Sequence, residues 1–212
     1  MMPKFSIIIP AHNSAEFISR CLDSIANQHY TDYELIIVCD RCTDNTAEIA
    51  RAYEADIVLE VDNGNDGLTR GDGLAAAQGE WVLFLDDDDW WMHEHVLDLI
   101  DGKLSEDIDV MLFGFIFKGR GYAPPYRTVN GSQVLWPAVW CKCYRREFIK
   151  DLQFNNIEVK GDEASDIDWT RRLMELNPRY SYLDMPLYYY NYMRRGSQTD
   201  TKVFGNKIGD GG

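Results

Sequence analysis

The sequence predicts an α/β fold, with a mostly parallel central sheet and helices on both faces. Three observations predict it. Short apolar runs rich in β-branched residues, at 5–10, 34–39 and 56–60, read as strands buried on both sides. Segments with apolar residues at helical spacing alternate with them, as βαβ units require. Polar clusters stand at the carboxyl ends of the strands, at residues 10–13, 39–44 and 86–89. Ligands of open parallel sheets bind outside those ends, so three clusters from separate strands are expected to meet in one crevice.

The elements follow in order. Residues 5–10 form the first strand, bounded by Pro10. Asn13, with Glu16 three residues on, matches a capping box, and Phe17, Ile18, Cys21, Leu22 and Ile25 recur at helical spacing behind it. Residues 34–39 form the second strand, after which Thr43 or Asp44 is placed to cap a helix carrying Ala47, Ile49, Ala50 and Tyr53. Residues 56–60 form the third strand. Residues 62–73 are rich in Gly and Asp; a helix is expected after them through Ala75, Ala76 and Ala77, stopped by Gly79. A buried strand then begins at Trp81. In the second half, residues 111–117 are strand-like, 118–132 are rich in Gly and Pro and read as a mobile surface loop, and 136–144 return to the core. Ser165 is placed to cap a helix whose inner side carries Trp169, Leu173 and Leu176, and residues 180–192, with six tyrosines, add a strand. Neither an internal repeat nor a linker is visible, so a single domain over residues 1–212 is expected.

At 212 residues the chain suits one domain with a full core, and its hydrophobic share of 45% is ordinary. Lys+Arg 21 against Asp+Glu 35 gives a net charge of −14. That argues against nucleic acid as a partner, because phosphate backbones need a basic footprint. Any phosphate-bearing ligand must therefore be held locally, by a metal, an arginine or backbone amides. No apolar run approaches the roughly 20 residues of a membrane span. Residues 1–6 lead straight into a strand without an apolar leader segment. A cytoplasmic location is expected, with peripheral association at the inner membrane face left open. The five cysteines fit this, being odd in number and sparse. Cys39 with Cys42 and Cys141 with Cys143 lack the repeated spacing of a zinc site and read as small residues at a strand end and in a buried strand.

The most informative stretch is Trp81-Val-Leu-Phe-Leu85 ending in Asp86, Asp87, Asp88 and Asp89. Four adjacent like charges repel, and a turn capping a helix at Trp91 or Met92 needs one acid, not four. A divalent cation at the strand end, holding a phosphorylated substrate, gives the placement a reason, since Mg²⁺ and Mn²⁺ prefer carboxylate and phosphate oxygen. His93-Glu-His95 follows, but helical positions two apart do not share a face, so it reads as a solvated helix start.

Five blocks then stand in a telling order: Phe5-Ser-Ile-Ile-Ile-Pro-Ala-His-Asn13, Val38-Cys-Asp-Arg-Cys-Thr-Asp44, Phe84-Leu-Asp-Asp-Asp-Asp-Trp90, Trp140-Cys-Lys-Cys-Tyr-Arg-Arg146 and Pro186-Leu-Tyr-Tyr-Tyr190. Together they resemble successive blocks of glycosyltransferase family 2, from about residue 5 to about residue 199. The resemblance implies a GT-A fold, a nucleotide-diphosphate sugar donor, a divalent metal (Mn²⁺ or Mg²⁺) and inversion at the anomeric carbon. It places the nucleotide on about residues 1–100 and the acceptor on about residues 101–200.

Carried over residue by residue, Pro10, Ala11 and Asn13 fall where the family's first loop borders the nucleoside, and Asp40 where an acid accepts from a base ring N–H. Asp44 is better placed to cap the following helix. Arg70 falls where an arginine lies near the diphosphate, which suits the donor fork of a guanidinium. Gly71 follows it where the family often has Asn. Asp86 and Asp88 occupy the D-x-D positions, with Asp88 the first choice for direct metal ligation. Whether Asp86 and Asp87 contact ribose or metal-bound water is open. An acceptor hydroxyl must lose its proton as the new bond forms, and a carboxylate can take it. The family's Glu-Asp pair aligns with Ser165 and Asp166, which makes Asp166 the expected base, with Asp162, Glu163 and Asp168 as rivals. Trp140 and Lys142 match a block near the acceptor, although Cys141 replaces the usual Asn there. Trp136, Trp140 and Trp169 are candidates either for stacking on sugars or for the core. Arg194, Arg195, Ser197 and Thr199 match a closing segment that folds over the diphosphate.

The expected function is inverting transfer from a UDP-linked sugar to a hydroxyl of a glycan or glycolipid. Two other classes compete. Donor binding without transfer would account for Ser165 and Gly71. A sugar-phosphate nucleotidyltransferase would want a Gly-rich basic loop after the first strand, and Ala11-His-Asn-Ser14 is a poor one.

Overall fold

The computed structural model describes residues 2–130, 132–154 and 165–192. The chain runs β1 (Phe5–Ala11), α1 (Ile18–Ala26), β2 (Tyr33–Asp40), α2 (Thr46–Ala52), β3 (Ile57–Val61), α3 (Asp66–Ala76), β4 (Trp81–Phe84), β5 (Trp90–Trp91), α4 (Val96–Asp101) and β6 (Val110–Phe117). It continues through β7 (Gly121–Ala123), β8 (Tyr126–Val129), β9 (Ser132–Leu135), β10 (Lys142–Arg145), α5 (Arg146–Ile149), α6 (Ser165–Glu175) and β11 (Tyr180–Tyr190).

Among the described residues the main sheet runs β3-β2-β1-β4-β10-β6-β11-β5, with β7 beside β6. The first four strands are parallel, as the βαβ pattern requires. β10 is antiparallel to both β4 and β6, and β11 returns parallel to β6. The continuous apolar runs are explained by burial on two faces. In β1, Ile7 and Ile9 join one core with α1, α2 and α4, while Ile8 joins the other with α3, α5 and α6. Strands β2 and β4 divide the same way, Ile37 and Leu83 to the first core, Val38 and Phe84 to the second.

Several expectations are corrected. The capping box at Asn13 does not form: α1 starts at Ile18, after a turn in which Phe17 and Ile18 N–H bind the Ser14 carbonyl at 2.8 and 2.9 Å. Asn13 instead adopts φ +48° and its side chain accepts from the Thr43 N–H at 2.7 Å, tying the β1 loop to the β2 loop. Residues 118–132 are not a plain loop; they contain β7 and the start of the β8–β9 hairpin, and positive φ at Gly119 and Gly121 makes the reversal after β6. Leu176 lies past the end of α6 and is 49% exposed. The Gly-rich segment is helical earlier than expected. Asn65 caps α3 by accepting from Leu68 N–H, so Gly67, Gly71 and Gly73 are inside the helix.

Gly73 explains why a poor helix former is used there. A Cβ at that position would overlap Ile8 Cγ2 and stand 3.2 Å from Val38 Cγ2, so only glycine lets α3 lie directly on β1 and β2. Gly73→Ala is expected to cost about 1–3 kcal/mol through overpacking. Urea denaturation checks it, read as a lower midpoint at unchanged slope.

The five cysteines are free thiols, and no group of three His, Cys, Asp or Glu side chains capable of holding a metal occurs among the described residues. No helix among them is long and apolar enough to cross a membrane.

Candidate active site

The carboxyl ends of β1, β2 and β4 do meet. The His12 N–H donates to Asp87 Oδ2 at 3.2 Å, and His12 Nδ1 lies 2.6 Å from the Asp40 carbonyl. Pro10 and Ala11 pair in register with Val38 and Cys39, so the first loop lies against the second. Asp44 accepts from the N–H groups of Thr46 and Ala15, each at 3.1 Å, so it ties the first residue of α2 to the β1 loop, although the N-cap position itself falls on Asn45 and not on Thr43 or Asp44.

Asp40 is buried and its carboxylate is already engaged. It accepts from Asn63 N–H (2.8 Å), Gly64 N–H (3.0 Å), Asn65 N–H (3.2 Å) and the Thr69 hydroxyl (3.0 Å). Burial pushes its pKa up, but those hydrogen bonds outweigh it and hold the carboxyl below its ordinary value. In this structure Asp40 orders the loop from β3 into α3.

The four aspartates separate into distinct roles. Asp89 is fully buried; it accepts from Tyr188 Oη at 2.5 Å and from Asn191 N–H at 2.7 Å. Burial, together with the charges of Asp88 and Asp86, raises its pKa well above the usual range. Tyr188 Oη also accepts from the Asp86 N–H at 3.3 Å, so one phenol supports both ends of the run. Asp86 pairs with Arg70 Nη2 at 2.7 Å, and Asp87 takes the His12 amide. Asp88 is half-buried, and its carbonyl accepts from Asn191 Nδ2 at 3.2 Å.

Arg70 is the hub. It is 5% exposed and faces three carboxylates: Asp66 Oδ2 at 2.8 Å, Asp86 Oδ1 at 2.7 Å and Asp166 Oδ1 at 3.5 Å. Burial alone would lower its pKa, but the charges of Asp166, Asp86 and Asp66 raise it well above its ordinary value. Asp166 is held by Val139, whose N–H donates to Oδ2 at 3.3 Å, while Oδ1 is buried with no hydrogen bond. Burial raises the Asp166 pKa; Arg70 opposes this and Asp86 adds to it, for a net upward shift. Asp86, on the opposite side of Arg70, is likewise shifted up by burial, against the pull of Arg70.

The rival Asp168 is committed elsewhere, to Arg171 at 2.6 Å and Arg172 at 2.8 Å on its own helix. Asp162 and Glu163 lie outside the described residues, as do Arg194, Arg195, Ser197 and Thr199.

Trp140 and Lys142, expected near the acceptor, are buried in support positions. Trp140 stacks on Tyr188 at 4.4 Å between ring centroids and meets Phe115 edge-on at 4.8 Å. Lys142 is fully buried and donates to the carbonyls of Trp136 (2.7 Å) and Ala138. Desolvation lowers its pKa. These bonds brace the segment leading to Val139, whose N–H holds Asp166. Trp169 is a core ring stacked on Phe154 at 4.9 Å. Trp136 is half-buried, edge-on to Phe115 at 5.4 Å.

The sequence reading missed Asp66, Ser165 as its partner, and Tyr188. The spacing of Asp66 and Arg70, four apart in a helix, was the available signal for the first. Tyr188 lies inside the fifth block, Pro186 to Tyr190, but nothing local ties it to Asp89, 99 residues away.

A sequence model described as Glycosyl transferase family 2 matches residues 6–175. The chain belongs to glycosyltransferase family 2. Among other family 2 proteins, it is similar to the poly(ribitol-phosphate) β-N-acetylglucosaminyltransferase TarS of Staphylococcus aureus, with 32% identity over 212 residues, covering 92% of this chain and 36% of TarS. It is also similar to the putative glycosyltransferase EpsH of Bacillus subtilis, with 35% identity over 209 residues, covering 89% of this chain and 60% of EpsH. The family 2 chain thus spans about a third of one relative and under two thirds of the other. The crystal structure of TarS 1-349 in complex with UDP-GlcNAc superimposes with a TM-score of 0.79 at 27% identity, over 93% of this chain and 61% of that one. A mannosyltransferase of Pyrobaculum calidifontis, in complex with GDP-Man and Mn²⁺, shares the fold at 18% identity and TM-score 0.70, over 100% of this chain and 66% of that one. The fold is GT-A, as the sequence resemblance implied.

Proposed function

We infer that this family 2 chain transfers a sugar from a UDP-linked donor to a hydroxyl of a glycan or lipid-linked glycan, by a single displacement that inverts the anomeric carbon. One observation carries the reading: Arg70 gathers Asp86, from the end of β4, and Asp166, from the start of α6, around one guanidinium. A donor-side and an acceptor-side carboxylate then lie within one side chain of each other, as an in-line transfer demands. The UDP-GlcNAc bound by TarS supports the donor class.

On this reading Pro10, Ala11, Asn13 and Asp40 border the nucleoside, with Asp40 acting through the loop it orders. Asp86 and Asp87 face the ribose and diphosphate, and Arg70 offsets negative charge on the departing diphosphate. Asp166 takes the proton of the acceptor hydroxyl through Oδ1. Arg194 and Arg195 are assigned to the diphosphate as part of the closing segment. The donor set also fits a divalent cation. Hard cations of this kind are held by one or two carboxylates plus substrate phosphates rather than by an all-protein cage. Half-buried Asp88, at the second acid of the D-x-D positions that the family resemblance implies, is the ligand assigned. When bound, such a cation supplies further neutralisation of the leaving diphosphate.

A thermal-shift panel of UDP, GDP and dTDP, each with and without Mn²⁺, tests the donor and metal together. UDP with Mn²⁺ is expected to stabilise most, by about 2.7 kcal/mol at a hundred times its Kd. Equal responses to the three nucleotides, or none to the cation, would overturn the assignment. Turnover is expected to fall as pH drops through the raised Asp166 pKa, because the base must be ionised; this acid limb lies above the ordinary Asp value of about 3.9.

A further inference from the structure

We propose that Asp66 is a positioning residue for the acceptor base: it holds Arg70 back from Asp166 and ties the start of α6 to the start of α3. The proposal rests on the reading of Asp166 as the base. Arg70 Nη1 has two carboxylates in reach. It is bound to Asp66 Oδ2 at 2.8 Å and stands 3.5 Å from Asp166 Oδ1, which is buried and accepts no hydrogen bond. A guanidinium released from Asp66 would close on Asp166, since arginine and carboxylate favour a short, charge-assisted pair. That pair would occupy the lone pair that has to receive the acceptor's proton.

The second oxygen of Asp66 acts on the neighbour of the base. Ser165 Oγ donates to Asp66 Oδ1 at 3.2 Å, and the Gly67 N–H donates to the same oxygen at 3.0 Å. The two helices touch here, because a Cβ at Gly67 would stand 2.8 Å from Ser165 Cβ. One carboxylate in the first turn of α3 thus fixes both the arginine beside Asp166 and the residue preceding it. Position 165 carries no acid of its own, and Asp66 supplies the carboxylate from across the helix contact. Were Asp66 merely a partly exposed i,i+4 partner of Arg70, its loss would be almost silent.

The test uses the full chain, with UDP-N-acetylglucosamine and UDP-glucose as donors. Asp66→Asn is expected to lower kcat about 10–100-fold, as a misplaced catalytic group does, with donor KM within about threefold. Asp66→Glu restores most of the rate, and Ser165→Ala gives a smaller loss of kcat in the same sense. A crystal structure of D66N is expected to show Arg70 Nη1 within about 3 Å of Asp166 Oδ1. A D66N rate within about twofold of wild type would overturn the proposal, as would a crystal structure in which Arg70 has not moved. If D66N fails to fold, an S165A rate equal to wild type overturns it instead. Absence of turnover by the wild-type chain would count against the proposed function, and the Arg70 position in D66N would still decide this one.

Discussion

Asp166→Asn is expected to yield a folded protein that binds a UDP-sugar and transfers it about 10²–10⁴ times more slowly, the usual contribution of a general base. The substitution keeps the shape, and its amide oxygen can still accept from the Val139 N–H that holds Oδ2. What it loses is the buried Oδ1 lone pair beside Arg70. Calorimetric titration with UDP, near the wild-type value, together with a collapsed kcat, is the expected pair of results. Wild-type turnover by D166N would remove Asp166 from the chemistry and leave donor binding as the conserved part of the reading.

Arg70→Met is expected to be the most damaging substitution to stability, costing about 3–5 kcal/mol, the usual penalty for breaking a buried charge network. Arg70 is 5% exposed, and its removal leaves Asp86 and Asp166 without a cation. Asp66 is 41% exposed, so water relieves part of its share. The pH dependence has a definite sign. Asp66 has a depressed folded pKa, so its pairing stabilises above the unfolded value and is lost as pH falls through the folded one. Asp86 and Asp166 are already raised, and without Arg70 they rise further. A raised carboxylate costs stability while ionised, and this cost disappears as pH falls from its folded value towards about 3.9. R70M is therefore expected to melt higher at mildly acidic pH than at pH 7, read by scanning calorimetry. A variant with unchanged melting at pH 7 would show that the network carries no net stability.

Much of this site is legible in the sequence because its parts are local. The parallel half of the sheet is written in residues 5–10, 34–39 and 81–85, whose apolar runs can only suit strands covered on both faces. The aspartate run announces itself by the cost of adjacent like charges. What escaped the reading depends on distant contacts. The glycines of α3 looked like a loop because propensity penalises them, yet the close approach to Ile8 and Val38 requires one of them. Lys142 is matched to an acceptor-side block by the resemblance alone; its burial, with two carbonyls taking up the ammonium, depends on the turn before β10. The hold of Asp40 on the loop into α3 is equally invisible, because that loop starts 23 residues further on.

The tie between Asp89 and Tyr188 spans 99 residues, and that to Asn191 spans 102. On a ribosome adding about 5–20 residues per second, the four aspartates emerge several seconds before the strand that receives them. Until β11 arrives, Asp86 and Asp87 can already meet Arg70 and the His12 N–H, but Asp89 has neither the Tyr188 hydroxyl nor the Asn191 N–H. The aspartate run after β4 is consequently completed by the last described strand, and any nascent chain halted before Tyr188 lacks that support however well β1 to β4 have formed.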